Sequence, residues 1–130
     1  MNAAVQTADG VYVVDVDAEE VVGFEAGREL EPPRTPALSL PRLVAAASSG
    51  STVVAVLDRR PPVAVSHDAG SSWREAGAGL PPGRGVAIAE DDPDLVLYAA
   101  RNRVYLSRDG GRFWLGLAFE LPEIVAVQWL

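Results

Sequence analysis

A chain of 130 residues, 48% hydrophobic and 22% charged, has the make-up of a single globular domain, which excludes both a disordered and a fibrous class. Eleven arginines, no lysine and 18 acidic residues give a net charge of −7, so the chain as a whole repels nucleic-acid backbones and anionic membrane surfaces. With no cysteine and one histidine, disulfides, thiol catalysis, iron–sulfur clusters and thiolate zinc sites are ruled out.

Taken in chain order, residues 1–27 hold short apolar runs punctuated by Asp and Gly. Thr7-Ala8-Asp9-Gly10-Val11-Tyr12-Val13 is similar to Arg101-Asn102-Arg103-Val104-Tyr105-Leu106, which predicts the last three strands of a four-stranded unit whose first strand is missing. Residues 28–40, with Pro32, Pro33 and Pro36, read as a long surface loop. Residues 41–80 predict strands near 42–48, 52–57, 63–67 and 73–76. Residues 81–120 predict strands near 85–89, 95–100, 104–108 and 113–119. In residues 121–130, Leu121-Pro122 leads into Glu123-Ile124-Val125-Ala126-Val127-Gln128-Trp129-Leu130, one further first strand with no unit behind it. No segment has the periodicity of a good helix. No apolar run is long enough to span a membrane and no signal peptide is visible, so the expectation is a cytoplasmic protein.

The two complete units repeat. Val63-Ala64-Val65-Ser66-His67-Asp68-Ala69-Gly70-Ser71-Ser72-Trp73 returns 41 residues later as Val104-Tyr105-Leu106-Ser107-Arg108-Asp109-Gly110-Gly111-Arg112-Phe113-Trp114, and Leu80-Pro81 returns as Leu121-Pro122. A period of about 40–45 residues is what one four-stranded propeller blade consumes. Within each unit the pattern Ser-x-Asp-x-Gly-x-x-Trp describes a tight hairpin between the third and fourth strands. A short carboxylate (Asp68, Asp109) accepts hydrogen bonds from its own turn, a glycine (Gly70, Gly111) takes positive φ, and a tryptophan (Trp73, Trp114) covers the blade end.

Ser66, Asp68, Gly70 and Trp73, with Ser107, Asp109, Gly111 and Trp114, resemble the Asp-box, or BNR repeat, of sialidase-type and photosystem II assembly-factor-type propellers. The resemblance covers residues 41–130; the corresponding stretch of the first unit, Val14 to Val21, has none of the signature residues. It implies an all-β propeller with three four-stranded blades per chain and boxes on the periphery, where their role is structural. One carboxylate per turn is too few for a calcium site.

Three blades fall short of the usual ring of about four to eight. The expected closure is a homodimer in which each C-terminal strand completes the other chain's N-terminal blade, giving six blades. A three-fold assembly, or pairing of the strand within its own chain, are the rivals. The connections expected around the axis carry Arg59, Arg60, Arg84, Arg101 and Arg103, a candidate guanidinium ring for an anionic small molecule, a glycan or a peptide. The plainer reading is solvated loop charges with local acidic partners.

Catalysis is not expected. Likeness to sialidases would call for a Tyr nucleophile with a Glu and an Asp acid near the axis, and the Arg-Ile-Pro signature of that family has no match. Tyr12, Tyr98 and Tyr105 fall in predicted strands as packing residues. Glu19-Glu20 and Asp91-Asp92 are turn pairs, not carboxylates held across a cleft, and His67 sits alone at a variable box position. The sequence therefore reads as a non-enzymatic binding or scaffold module without metal or cofactor. A glycan-directed hydrolase of the sialidase class and an assembly-factor-like peptide or protein binder are the alternatives. The lysine-free, Ala- and Arg-rich composition points to a GC-rich bacterial genome.

Overall fold

The structure, a computed structural model, describes residues 1–32 and 34–130; Pro33 of the expected proline-rich loop lies outside the described residues. The described residues form twelve strands and no helix, arranged as three four-stranded antiparallel sheets. The first box sheet runs in simple order through β4 (Leu43–Ser49), β5 (Thr52–Leu57), β6 (Val63–Ser66) and β7 (Arg74–Ala76). The second box sheet repeats it with β8 (Gly85–Ala89), β9 (Asp92–Ala99), β10 (Val104–Ser107) and β11 (Leu115–Gly116). The N-terminal sheet joins β1 (Asn2–Thr7), β2 (Gly10–Asp15) and β3 (Glu20–Ala26) to β12 (Ile124–Trp129), in the order β12-β1-β2-β3.

The second box sheet is the middle layer. On one side Val86, Val96 and Tyr98 pack against Val54, Val56, Val63 and Val65 of the first box sheet. On the other, Leu97, Ala99, Val104 and Leu106 pack against Val5, Val14, Ile124 and Val127 of the N-terminal sheet. The alternation along β9 explains this, since successive side chains point to opposite faces and both faces are covered. Each large side chain so buried contributes about 1.5–3 kcal/mol by removal from water. β5 is buried on both faces for the same reason: Val54 and Val56 meet the middle sheet, whereas Ala55 and Leu57 meet Leu38, Leu40 and Trp73. Leu38 and Leu40 thus strap the outer face of the first box sheet, at the end of a segment whose described residues carry no strand or helix. The first strands of the three sheets lie side by side, with β8 between β4 and β12, and the two flanking sheets do not close on each other.

Two expected strands keep their predicted bounds, 52–57 and 85–89. The largest departure is the last strand of the second unit, expected over 113–119 and reduced to Leu115–Gly116. The amides of Arg112 and Phe113 donate to Asp109, so the chain is still turning where a strand was expected. Strand 121–130 forms as an inner strand on the N-terminal sheet, as its composition predicts, but within its own molecule. β12 pairs antiparallel with β1 of the same chain, the within-chain alternative to the expected strand swap, with Val5 opposite Val127 and Ala3 opposite Trp129. The physical reason is the route of the connection. Leu121 N donates to Asn102 O and Ile124 N to Arg101 O, which returns the chain along the middle sheet to the free edge of β1.

Candidate functional site

The two boxes fold alike. In the first, Ser66 Oγ donates to Asp68 Oδ1 at 2.7 Å and accepts from the Gly70 amide at 2.8 Å, while the Ser72 amide and hydroxyl donate to Asp68 at 2.9 and 2.6 Å. In the second, Ser107 Oγ donates to Asp109 Oδ1 at 2.8 Å and accepts from the Gly111 amide at 2.8 Å, and the amides of Arg112 and Phe113 donate to Asp109 at 3.1 and 3.0 Å. Gly70 and Gly111 take φ of 92° and 93°, a conformation that glycine adopts without steric cost, and a Cβ there would lie 3.6 and 3.5 Å from the Trp73 and Trp114 rings. The Ser72 hydroxyl, with the Ser66 hydroxyl and Ser72 amide, holds the Asp68 carboxyl down to about 2. The Phe113 amide, the Ser107 hydroxyl and the Arg112 amide lower that of Asp109. Each carboxylate is thus committed to its own turn.

The boxless turn of the N-terminal sheet keeps a fragment of this chemistry. Asp15 Oδ1 accepts the amides of Asp17 and Ala18 at 3.0 and 3.1 Å, a local Asx-type turn that the lost signature concealed.

Four of the five candidate arginines hold carboxylates. Arg59 reaches Glu75 on the outermost strand β7 at 2.9 Å, and Arg103 reaches Glu120 at 2.8 Å. Arg84 and Arg101 share Glu123, at 3.1 and 3.8 Å, at the start of β12. Arg60 has no carboxylate partner among the described residues. Of the five, Arg84 and Arg101 converge on one carboxylate, and Arg59 and Arg60 border one small cleft with Pro82 and Gly83.

The tyrosines behave as packing residues. Tyr98 is fully buried, donates its hydroxyl to Pro81 O at 2.6 Å, and burial raises its pKa, the opposite of what a nucleophile needs. Tyr105 and Trp114 stack edge-on against it, with ring centroids 6.2 and 5.7 Å away. Tyr12 meets Phe24 at 4.5 Å. Asp92 accepts the Asp94 amide at the start of β9. Among the described residues no group of three His, Asp or Glu side chains is placed to hold a metal ion, and no helix is long and apolar enough to cross a membrane.

Of the concave surfaces among the described residues, two combine features that suit a ligand. The first is the groove along β4, β8 and β12, whose walls are small residues: Ala45, Ala46, Gly85 and Ala126. Val44 and Val125 stand in it, each 47% exposed. The 28–40 segment borders this groove through Glu31, Pro32, Arg34 and Thr35, leaving clefts of about 370 and 260 Å³ at its sides. The second is a cleft of about 570 Å³ at the rim, between the turn after β7 and the second box, lined by Arg74, Glu75, Tyr105, Arg112, Phe113 and Trp114. The sequence reading passed over Arg74, Arg112 and Phe113. The signal was there in the aligned repeats, where Arg112-Phe113 of the second box stands against Ser71-Ser72 of the first. Comparison with protein-family models, with curated proteins and with solved structures finds no match.

Proposed function

We propose that this chain is a non-enzymatic binding or scaffold module built as an arc of three propeller blades, two of them with an Asp-box, and that its working surface is the groove along β4, β8 and β12, which takes an extended peptide. The observation that carries this reading is that the groove already borders a proline-containing segment of its own chain. Glu31, Pro32, Arg34 and Thr35 line it, held at one end by the Leu30 amide on Gln6 Oε1 (2.9 Å) and at the other by Leu38 and Leu40 packed on the first box sheet.

The chemistry suits such an occupant. Each of the three strands stands at the end of its sheet's order, where a backbone edge can hydrogen-bond an added segment, although Ala87 O of β8 already accepts the Trp129 indole at 3.2 Å. Alanine and glycine walls leave that backbone accessible, and proline-rich segments lose little entropy on docking because they are already extended. Where Arg84 and Arg101 share one carboxylate, an acidic residue of the peptide competes with Glu123 for two guanidinium groups. This confines the anionic reading of the arginines to one end of the groove.

The test is displacement. Replacing residues 31–36 by a Gly-Ser linker of equal length empties the groove. A fluorescent peptide of residues 28–40 is then expected to bind that variant in trans, and not the parent chain, by fluorescence anisotropy. A folded variant that ignores the peptide overturns the reading.

A further inference from the structure

We infer that the rim cleft between the turn after β7 and the second Asp-box is a binding site for a small flat-ringed anion, an aryl or heteroaryl group carrying a carboxylate or phosphate. It lies away from the β4–β8–β12 groove and does not depend on what occupies that groove.

The first observation is an internal comparison. The two boxes share the Ser-to-Asp, Gly-amide-to-Ser and Ser72- or Phe113-amide-to-Asp hydrogen bonds, none of which needs a particular side chain between glycine and tryptophan. In the first box they are Ser71-Ser72, and the Ser72 hydroxyl strengthens the turn by donating to Asp68 at 2.6 Å. In the second they are Arg112-Phe113, which give Asp109 only their amides. Phe113 is 79% exposed, the largest exposure among the big apolar side chains of the described residues. The fold gains nothing from a phenyl ring in water where serine serves the homologous turn.

The second observation is charge. In a chain of net charge −7, six of the eleven arginines find carboxylates; of the five without such a partner among the described residues, Arg34, Arg42, Arg60, Arg74 and Arg112, two, Arg74 and Arg112, line this one cleft. An arginine without a carboxylate keeps its planar donor fork available for an incoming oxyanion.

The third is rigidity. Trp114 Nε1 donates to Gly111 O at 3.0 Å, and the rings of Trp114 and Tyr105 both rest on buried Tyr98, itself tethered to Pro81. The aromatic wall is therefore set before a ligand arrives, which lowers the ordering cost of binding. A volume of about 570 Å³ suits one or two rings with their anionic group. Two guanidinium groups take the anion, the Phe113 face stacks on the ring, and the Glu75 carboxylate accepts from a ring hydroxyl or amine.

Phenyl phosphate is the probe, titrated into the full chain labelled with ¹⁵N. The expected result is saturable movement of the Trp114 indole and the amides of residues 74–80 and 112–114, with inorganic phosphate binding at least about tenfold more weakly. The variant Arg112→Ser/Phe113→Ser gives the second box the residues that the first already folds with, so loss of folding does not confuse the outcome. It is expected to weaken phenyl phosphate at least about tenfold, and Arg74→Gln, an exposed position, to do the same in part. No movement up to about 10 mM phenyl phosphate overturns the proposal, as does equal binding of inorganic phosphate or an unchanged affinity in the double variant.

Discussion

The two box sheets and the N-terminal sheet solve the same problem, how to end a four-stranded sheet, in different ways. In the box sheets the chain spends residues 67–73 and 108–114 on a turn whose Asp and Ser side chains take its amides, and the outermost strand that follows is short: β7 has three residues and β11 two. In the N-terminal sheet the turn is only residues 16–19, Asp15 takes two amides, and β3 runs for seven residues with Val21, Val22 and Phe24 exposed at 41, 53 and 45%. Short edge strands offer little to an unwanted pairing partner, whereas a long apolar edge offers a template. The box is thus a device that ends a sheet as well as a turn. The N-terminal sheet lacks it and depends instead on the pairing of the two ends of the chain, β1 with β12.

That contrast can be broken first at β12. Ile124 is fully buried between the N-terminal and middle sheets, so Ile124→Ala is expected to cost about 2–5 kcal/mol, read by chemical denaturation. Hydrogen exchange should rise first in β1 and β12, with the oligomeric state by light scattering unchanged. A swapped strand would instead reveal itself as a loss of dimer mass.

A middle-sized effect sharpens the comparison between the two boxes. Ser107→Ala leaves the Gly111 amide without its acceptor in a buried site, whereas Ser66→Ala does the same to the Gly70 amide in a partly solvated one. The Ser107 variant should lose about 1–3 kcal/mol and the Ser66 variant less, because water can replace the missing oxygen only in the second case. Equal losses would mean that the two turns do not differ in burial in solution.

The smallest effect is with acid. The Asp68 pKa is lowered from its ordinary 3.8 to about 2, so its stabilising contribution is complete above the unfolded value and is lost as pH falls from about 4 towards about 2. Exchange of the Ser72 amide should accelerate across that window, and Asp68→Asn should flatten the dependence. Because Asp68 is exposed, the accompanying shift in Tm should be slight.

Much of this was legible in advance for a physical reason. The box is a local circuit: Ser, Asp, Gly and Trp within eight residues determine which amides are capped and where the chain turns, and the repeat of 41 residues duplicates the result. Strands 52–57 and 85–89 follow from their alternation and flanking turns. β11 was overestimated because apolar composition at 113–119 says nothing about amides already given to Asp109. The rim cleft was less visible, since Arg74 and Arg112 belong to different units and meet only once the sheets pack.

The sequence alone determined the all-β class, the two box turns, the register of the repeat and the inner-strand character of residues 124–129, because each depends on residues close in the chain or on simple alternation. Only the tertiary structure decided that the last strand lies beside β1, which arginines spend their charge on Glu75, Glu120 and Glu123, and that Leu38 and Leu40 cover the first box sheet. Those outcomes depend on distances between residues far apart in sequence, and such distances exist only after the apolar faces have been buried against one another.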